Sequence, residues 1–216
     1  MTKLILTTSR NPSDSLLKFV KSLVKTFPNA LKINRGLKFF SSLLSTCLIY
    51  RATDFILVYE KRGKPLSMIL THLPLGPSVF FGLSELVQRN NFEINFSQSD
   101  APHVLFLNLN SPIGKRIAKI ISTIFEPPAK TSQRLITFIG ENNSIIFHHH
   151  YFQKKGSLKK DLYLKKLSPG FRMHPYKILL GDIFSKKKEA EWVITPFLNK
   201  KKKYLFILII PSSILK

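Results

Sequence analysis

Apolar positions along the chain come in two kinds of run. Some recur at helical spacing. Leu16, Phe19, Val20, Leu23, Val24 and Phe27 share one face of a helix that Asn11 caps, with Pro12 at its first position and Asp14 toward its positive end. Pro28 stops that helix. A second helix uses Phe40, Leu43, Leu44, Cys47 and Leu48. A third opens at Ser111-Pro112, runs through Ile113, Ile117, Ile120, Ile121 and Ile124, and is closed by Pro127-Pro128. Other runs are short, β-prone and bounded by Gly, Pro or Asn. They predict strands over 3–6, 30–33, 54–60, 66–73, 79–83, 103–107 and 191–197.

The stretch from Leu135 to Gly181 reads as a set of antiparallel strands. Residues 135–139 and 144–152 flank Gly140-Glu141-Asn142-Asn143, whose residues tolerate positive φ at a hairpin tip. Basic connections lead on to separate strands over 162–167 and 171–180. The β/α pattern therefore occurs twice, and the polar stretch Asn90 to Pro102 is the expected seam. The halves fall at about 3–90 and 100–199, within a unit over 1–200 and before a basic, then apolar, tail over 200–216. A single large α/β domain is the alternative organisation.

Charge changes the picture most. The chain of 216 residues holds 34 Lys and Arg against 12 Asp and Glu, a formal net charge of +22, and a polyanion is the expected partner. From Tyr151 onward there are 16 basic and 4 acidic residues. Only Glu141 and Asp161 interrupt the stretch 135–181, so its strands set aromatics beside Lys, Arg and His with little acid to neutralise them. That composition suits an RNA-facing sheet, and a solvated basic hairpin is the plainer reading. The lone Cys47 makes no intrachain disulfide and no Cys-based zinc site, which fits a reducing compartment. The apolar run Tyr204 to Ile210 is roughly a third of the length of a membrane span, so no membrane partner is expected.

Few motifs carry reaction chemistry. His148-His149-His150 lie on one strand and point to alternate faces, so they do not converge on a metal; two are expected on the solvent or RNA face and one inward. Gly114-Lys115 lacks the upstream Gly and following Ser or Thr of a phosphate loop, since Leu109 and Arg116 stand there. Arg10, Arg35 and Arg62 each follow a predicted strand, beside Ser9, Gly36 and Gly63, where one rim of an α/β sheet can hold phosphates. Lys186 to Lys188 and Lys200 to Lys203 are charge runs without specificity. No catalytic residue, metal or cofactor is assigned.

Six motifs taken in order resemble one family. They are TTSRNPS (Thr7 to Ser13), FPNALKINRG (Phe27 to Gly36), HLPLGPSVFFGLS (His72 to Ser84), LITF with IIFHHHYF, GFRMHPYKILLGDI (Gly170 to Ile183) and EAEWVITPFLN (Glu189 to Asn199). Together they are similar to the Brix-domain family of ribosome-biogenesis proteins, over about 4–199, and most like its member associated with U3 small nucleolar RNA. The resemblance implies an α/β fold of two similar halves, each akin to an anticodon-binding domain of class II aminoacyl-tRNA synthetases, with mixed sheets and few helices. It implies RNA binding without catalysis in the nucleolus, with U3 small nucleolar RNA, pre-ribosomal RNA and two protein companions as partners, and no small-molecule substrate. The family segment likened to a sigma-factor RNA-binding region maps onto about 136–181. Arg10, Arg35, Arg62, His148, His149 and Arg172 stand at matching motif positions, and Lys154, Lys155 and Lys177 complete the candidate RNA contacts.

The chain departs from that family at its start and at its tail. Only six residues precede Thr7, where relatives carry a basic helical extension. Tyr59-Glu60-Lys61-Arg62-Gly63 keeps the Glu, Arg and Gly of an HEHRG-like segment. The apolar tail is unlike the usual polar end. Two alternatives remain at this point, a sister Brix protein acting on the large ribosomal subunit and an enzyme acting on RNA.

Overall fold

The computed structural model describes residues 2–87, 100–154, 162–184 and 189–194. Strand β1 (Leu4–Thr8) is buried along its whole length, which is why LILTT shows no polar alternation. Helix α1 (Asp14–Thr26) follows it. Its N-cap is Ser13, whose hydroxyl accepts from the Leu16 N–H at 3.2 Å, and not the expected Asn11. Asn11 instead takes φ 50° in the turn that aims the chain into the helix, a conformation Asn tolerates. Strand β2 (Ala30–Lys32) and helix α2 (Phe40–Ile49) come next, then the meander β3 (Asp54–Lys61), β4 (Lys64–His72) and β5 (Ser78–Val87). Arg62 and Gly63, at φ 51° and 74°, make the two-residue turn between β3 and β4.

The second pass begins with β6 (His103–Leu107) and α3 (Pro112–Ser122). Ser111 caps α3 as expected, accepting from the Gly114 N–H at 3.0 Å. The helix stops at Ser122, earlier than Pro127-Pro128 suggested. Ile124 and Phe125 donate instead to the carbonyls of Ile121 and Ser122 in tightened turns, which bring Ile124 into the core. Strands β7 (Arg134–Glu141) and β8 (Ser144–Lys154) form the expected hairpin, with Asn142 and Asn143 alone at positive φ.

The two strands expected over 162–167 and 171–180 are one, β9 (Leu162–Leu179), of 18 residues. Its pairing with β8 jumps from Phe147↔Phe171 to His149↔Leu167, so Ser168-Pro169-Gly170 is absorbed as a bulge. Pro169 has no N–H to give a ladder and is tolerated where the ladder is already broken. Short β10 (Ala190–Val193) pairs with the far end of β9. It covers only the start of the strand expected over 191–197; residues 195–197, most of the seam at 90–102 and the tail over 200–216 lie outside the described residues.

All ten strands form one mixed sheet in the order β2-β1-β3-β4-β5-β9-β8-β7-β6, with β10 beside β9. The pairs β1–β2, β1–β3 and β6–β7 are parallel, as a helical crossover requires, and the others are antiparallel. Read inward from either end, the order β1-β3-β4-β5 repeats as β6-β7-β8-β9.

One face of this sheet carries α1 and α3. Four directly paired residues there, Phe106, Phe138, Phe147 and Phe171, line up across β6 to β9, with successive ring centroids 5.2, 5.3 and 4.6 Å apart. Phe19 and Phe27 of the α1 segment reach this row, at 5.5 Å from Phe171 and 6.2 Å from Phe147, so a single core joins both passes of the chain. On the other face α2 covers Ile5, Phe55, Leu57 and Ile69 with Leu43 and Cys47. The same face of β6 to β9 has no described helix over it.

The two large helices are sealed at their C-terminal ends by residues from the other pass. Arg134, 1% exposed, donates from Nη2 to the carbonyl of Thr26 at 2.5 Å and from Nη1 to that of Asp100 at 2.7 Å. His72 bonds through Nδ1 to the buried Asp54 carboxylate and through Nε2 to the Ile120 carbonyl at 2.9 Å. A cation or donor at a helix C-terminus satisfies carbonyls the helix leaves open and opposes its dipole.

Candidate nucleic-acid interface

Cross-strand register defines what the uncovered face presents, because directly opposed residues share a face. One row runs Ser84, Arg172, Ile146, Ile139, Leu107. The next is His148, Thr137, Leu105, and a third is Lys166, His150, Leu135, His103. His174 lies opposite Gly82 and accepts or donates to the Ser84 hydroxyl at 2.8 Å. The surface is thus a mixture of imidazoles, aliphatic side chains and a few cations.

His148, His150 and His174 are biased toward the neutral imidazole. Burial lowers the pKa of His148 and His150, and Lys166 lowers both further; His150 adds to the effect on His148. Burial and then Arg172 lower that of His174. The His148 and His150 rings sit 5.7 Å apart, edge to face. These groups offer hydrogen bonds and ring faces, and the charge comes from Lys166 and Arg172. Arg172 is already engaged. Its Nε lies 3.0 Å from Glu85, and its Nη1 donates to Glu141 at 2.7 Å and to Ser144 Oγ at 2.9 Å.

The sequence-derived candidates separate into three places. Arg10, Arg35 and Arg62 follow the C-terminal ends of adjacent β1, β2 and β3, so they do share a rim. Arg10 and Arg62 are exposed there, with Arg10 lying 5.7 Å over the Phe39 ring. Arg35 is drawn inward instead, 6% exposed, 5.0 Å over the Phe40 ring and beside the Tyr59 phenol, whose pKa burial raises against its influence. His148, Arg172 and Lys177 are on β8 and β9, with the Lys177 ammonium 5.7 Å from the Phe80 ring.

His149 corrects the expectation. It is 1% exposed, turned toward Leu167 and Arg134, and burial together with Arg134 drives its pKa down to about 3. Strand alternation exposes His148 and His150 together and hides the residue between them, so His149 is a core imidazole and His150 takes its place on the surface. Lys154 closes β8, and Lys155 lies outside the described residues. Lys166, His150 and His174 are the surface residues that motif reading missed. The period of two from His148 marks His150; Lys166 and His174 emerge only from the register with β8 and β5.

On the helix-bearing side, a cleft of about 400 Å³ opens between the β6–α3 loop, the β7–β8 hairpin and Trp192, and is lined by Asn108, Asn110, Asn142 and Asn143 among others. Among the described residues no cluster of three or more His, Cys, Asp or Glu could hold a metal ion.

No protein-family model matches the chain. Individual proteins do. The chain is 34% identical over 205 residues to the U3 small nucleolar ribonucleoprotein protein imp4 of Schizosaccharomyces pombe, covering 94% of this chain and 70% of that one. It is 34% identical over 207 residues to U3 small nucleolar ribonucleoprotein protein IMP4 of Homo sapiens, covering 95% and 70% respectively. A Brix domain-containing protein of Caenorhabditis elegans is 35% identical over 209 residues, 96% of this chain and 71% of that one. Among solved structures, a crystal structure of a "probable ribosomal biogenesis protein" from Aeropyrum pernix K1 superposes with a TM-score of 0.61 over 81% of this chain and 96% of that one, at 19% identity.

Proposed function

The chain belongs to the Brix-domain family with the IMP4 proteins, and on that premise we propose that it is a non-catalytic RNA-binding factor of the U3 small nucleolar ribonucleoprotein. In this reading it serves ribosome biogenesis in the nucleolus, holding U3 RNA against pre-ribosomal RNA during early processing of the small-subunit precursor, alongside two protein companions. Its two halves, about 3–90 and 100–199, form one RNA-holding unit. The observation that carries RNA binding is the uncovered sheet face, where neutral His148 and His150 lie beside Lys166 and Arg172 with no described helix above them. Neutral imidazoles stack on or hydrogen-bond to unpaired bases without the desolvation cost of a charge. Exposed Arg10 and Arg62 supply phosphate contacts from the N-terminal rim, and Arg35 braces that rim from inside.

The test is a salt titration of the full chain on a U3 RNA fragment. Affinity should fall steeply with salt, with a log–log slope of about −0.7 per phosphate contact on single strands. Arg10→Ala with Arg62→Ala should make that slope shallower. His148→Ala with His150→Ala should weaken binding about tenfold, with most of the loss surviving at high salt, since stacking is less screened than charge. Unchanged affinity in both pairs would remove this surface from the function. Recovery from cells with large-subunit precursors and without U3 RNA would reassign the protein to the other ribosomal subunit.

A further inference from the structure

Helix α2 carries apolar residues on more than one side, yet only Leu43 and Cys47 are buried beneath it. Its outward side and flanks leave Leu37, Phe39, Leu48 and Ile49 exposed at 80, 69, 61 and 79%. These lie in two groups, one at each end of a ten-residue helix and so about 15 Å apart. Scattered exposed leucines need no explanation, but this many on one short element mark an interaction surface.

Between the two groups the surface is small and already satisfied. Ser45 donates to the Ser41 carbonyl at 3.1 Å and Thr46 to that of Ser42 at 2.8 Å, so covering these hydroxyls leaves neither without a partner. Each end also carries a cation over an aromatic ring, Arg10 on Phe39 at 5.7 Å and Lys3 on Tyr50 at 5.6 Å. From Leu31 to Thr53 the chain contains Lys32, Arg35, Lys38 and Arg51 and no carboxylate. Two apolar groups, each with a cation beside it, complement apolar anchors flanked by acidic side chains.

We propose that the outward face of α2 docks a helix of a partner protein, amphipathic, about three turns long, with Leu- or Ile-type anchors near its two ends and Asp or Glu flanking them. RNA is the poorer fit: it has no aliphatic groups to meet Leu48 and Ile49, and most of the charge here is peripheral to them. The patch lies over the other half of the sheet from the histidines and shares only Arg10 with the rim assigned to RNA, so its apolar anchors can be tested apart from RNA binding.

The experiment places the photo-crosslinking residue benzoylphenylalanine at position 48 of the full chain, in assembled complexes, and sequences what it captures. An adduct to an acidic amphipathic segment of another protein, lost at least tenfold on adding Leu37→Ser and Ile49→Ser, is the expected result. An adduct to RNA, to this chain's own residues, to a protein segment lacking acidic flanks, or no adduct at all overturns it. The thermal transition and U3 RNA affinity of the Leu37→Ser, Ile49→Ser chain are measured alongside. Both should be unchanged, because the side chains are exposed and distant in role from the RNA surface; a loss of RNA binding without loss of the protein adduct would equally count against the assignment.

Discussion

Among the described residues Arg134 is the largest side chain the fold hides completely, and its guanidinium spans three segments by bonding to carbonyls at Thr26 and Asp100. Burial lowers its pKa while the Asp100 charge opposes that, so the cation is held by dipoles and one nearby carboxylate. Arg134→Met keeps much of the volume and removes the donors. It should cost about 2–4 kcal/mol in a denaturant titration, because two carbonyls are left unsatisfied in the interior. Its neighbour His149 makes stability depend on pH. With a folded pKa of about 3 against an ordinary value near 6.5, the unfolded chain takes up a proton that the folded chain refuses throughout that window. His149 therefore imposes no penalty above about pH 6.5 and an increasing one as pH falls toward about 3. His149→Gln should make unfolding free energy less steep in pH by about 1 kcal/mol per unit between roughly pH 4 and 6. At Arg172 the prediction concerns affinity. Glu85→Gln with Glu141→Gln frees that guanidinium and should tighten RNA binding, more so at low salt, while Arg172→Ala with Lys177→Ala should weaken it; equal affinity across the three chains would show that the row does not touch RNA.

The elements differ in how well they could be read from the chain. Strand β6 matches its expected bounds, and α1, β3 and the β7–β8 hairpin lie close to theirs, because period, caps and turn residues agree locally at each. Three misreadings have one cause, a local signal outweighed by what the neighbouring element does. Pro169 and Gly170 look like a strand boundary, yet β8 pairs on both sides of them and carries β9 through. Asn11 has the right chemistry for a cap, but Ser13 has it too and is also fixed by its N–H to Glu60 at 2.9 Å. His149 matched a family motif, and its inward direction follows only once the strand's phase is set by Phe147 in the core. The helix seals made by Arg134 and His72 gave no signal at all, since each joins residues about 50 or more apart in sequence. Close element fit can also be tested at the β4–β5 turn. Gly76 has φ +89°, and an added Cβ there would collide with the Gly181 carbonyl group. Gly76→Ala should destabilise the protein by about 2 kcal/mol or more by thermal melting, through both the φ penalty and the clash.

For the whole molecule the decisive feature is that one core serves both passes of the chain. Phe27 belongs to the first and packs on Phe125 at 5.5 Å and Phe147 at 6.2 Å in the second. Two natural reporters can check whether the passes melt together. Cys47 is buried in the first, where burial raises its pKa to about 11 and keeps it from reacting as a thiolate. Trp192, the only tryptophan, packs against the core of the second. Thiol labelling and tryptophan fluorescence should report the same denaturant midpoint, and well-separated midpoints would mean two units that merely touch.

The pairing of β5 with β9 has a further consequence while the protein is being made. Everything up to Val87 leaves the ribosome with β5 bare on one side, and its mate ends at Leu179, about 90 residues later. At roughly 5–20 residues per second that interval lasts about 5–20 s. During it, the nascent chain displays Val79-Phe80-Phe81 on an unpaired strand, a segment ready to join any other extended chain. A factor that helps build ribosomes thus carries, during its own synthesis, an aggregation-prone edge until β9 arrives.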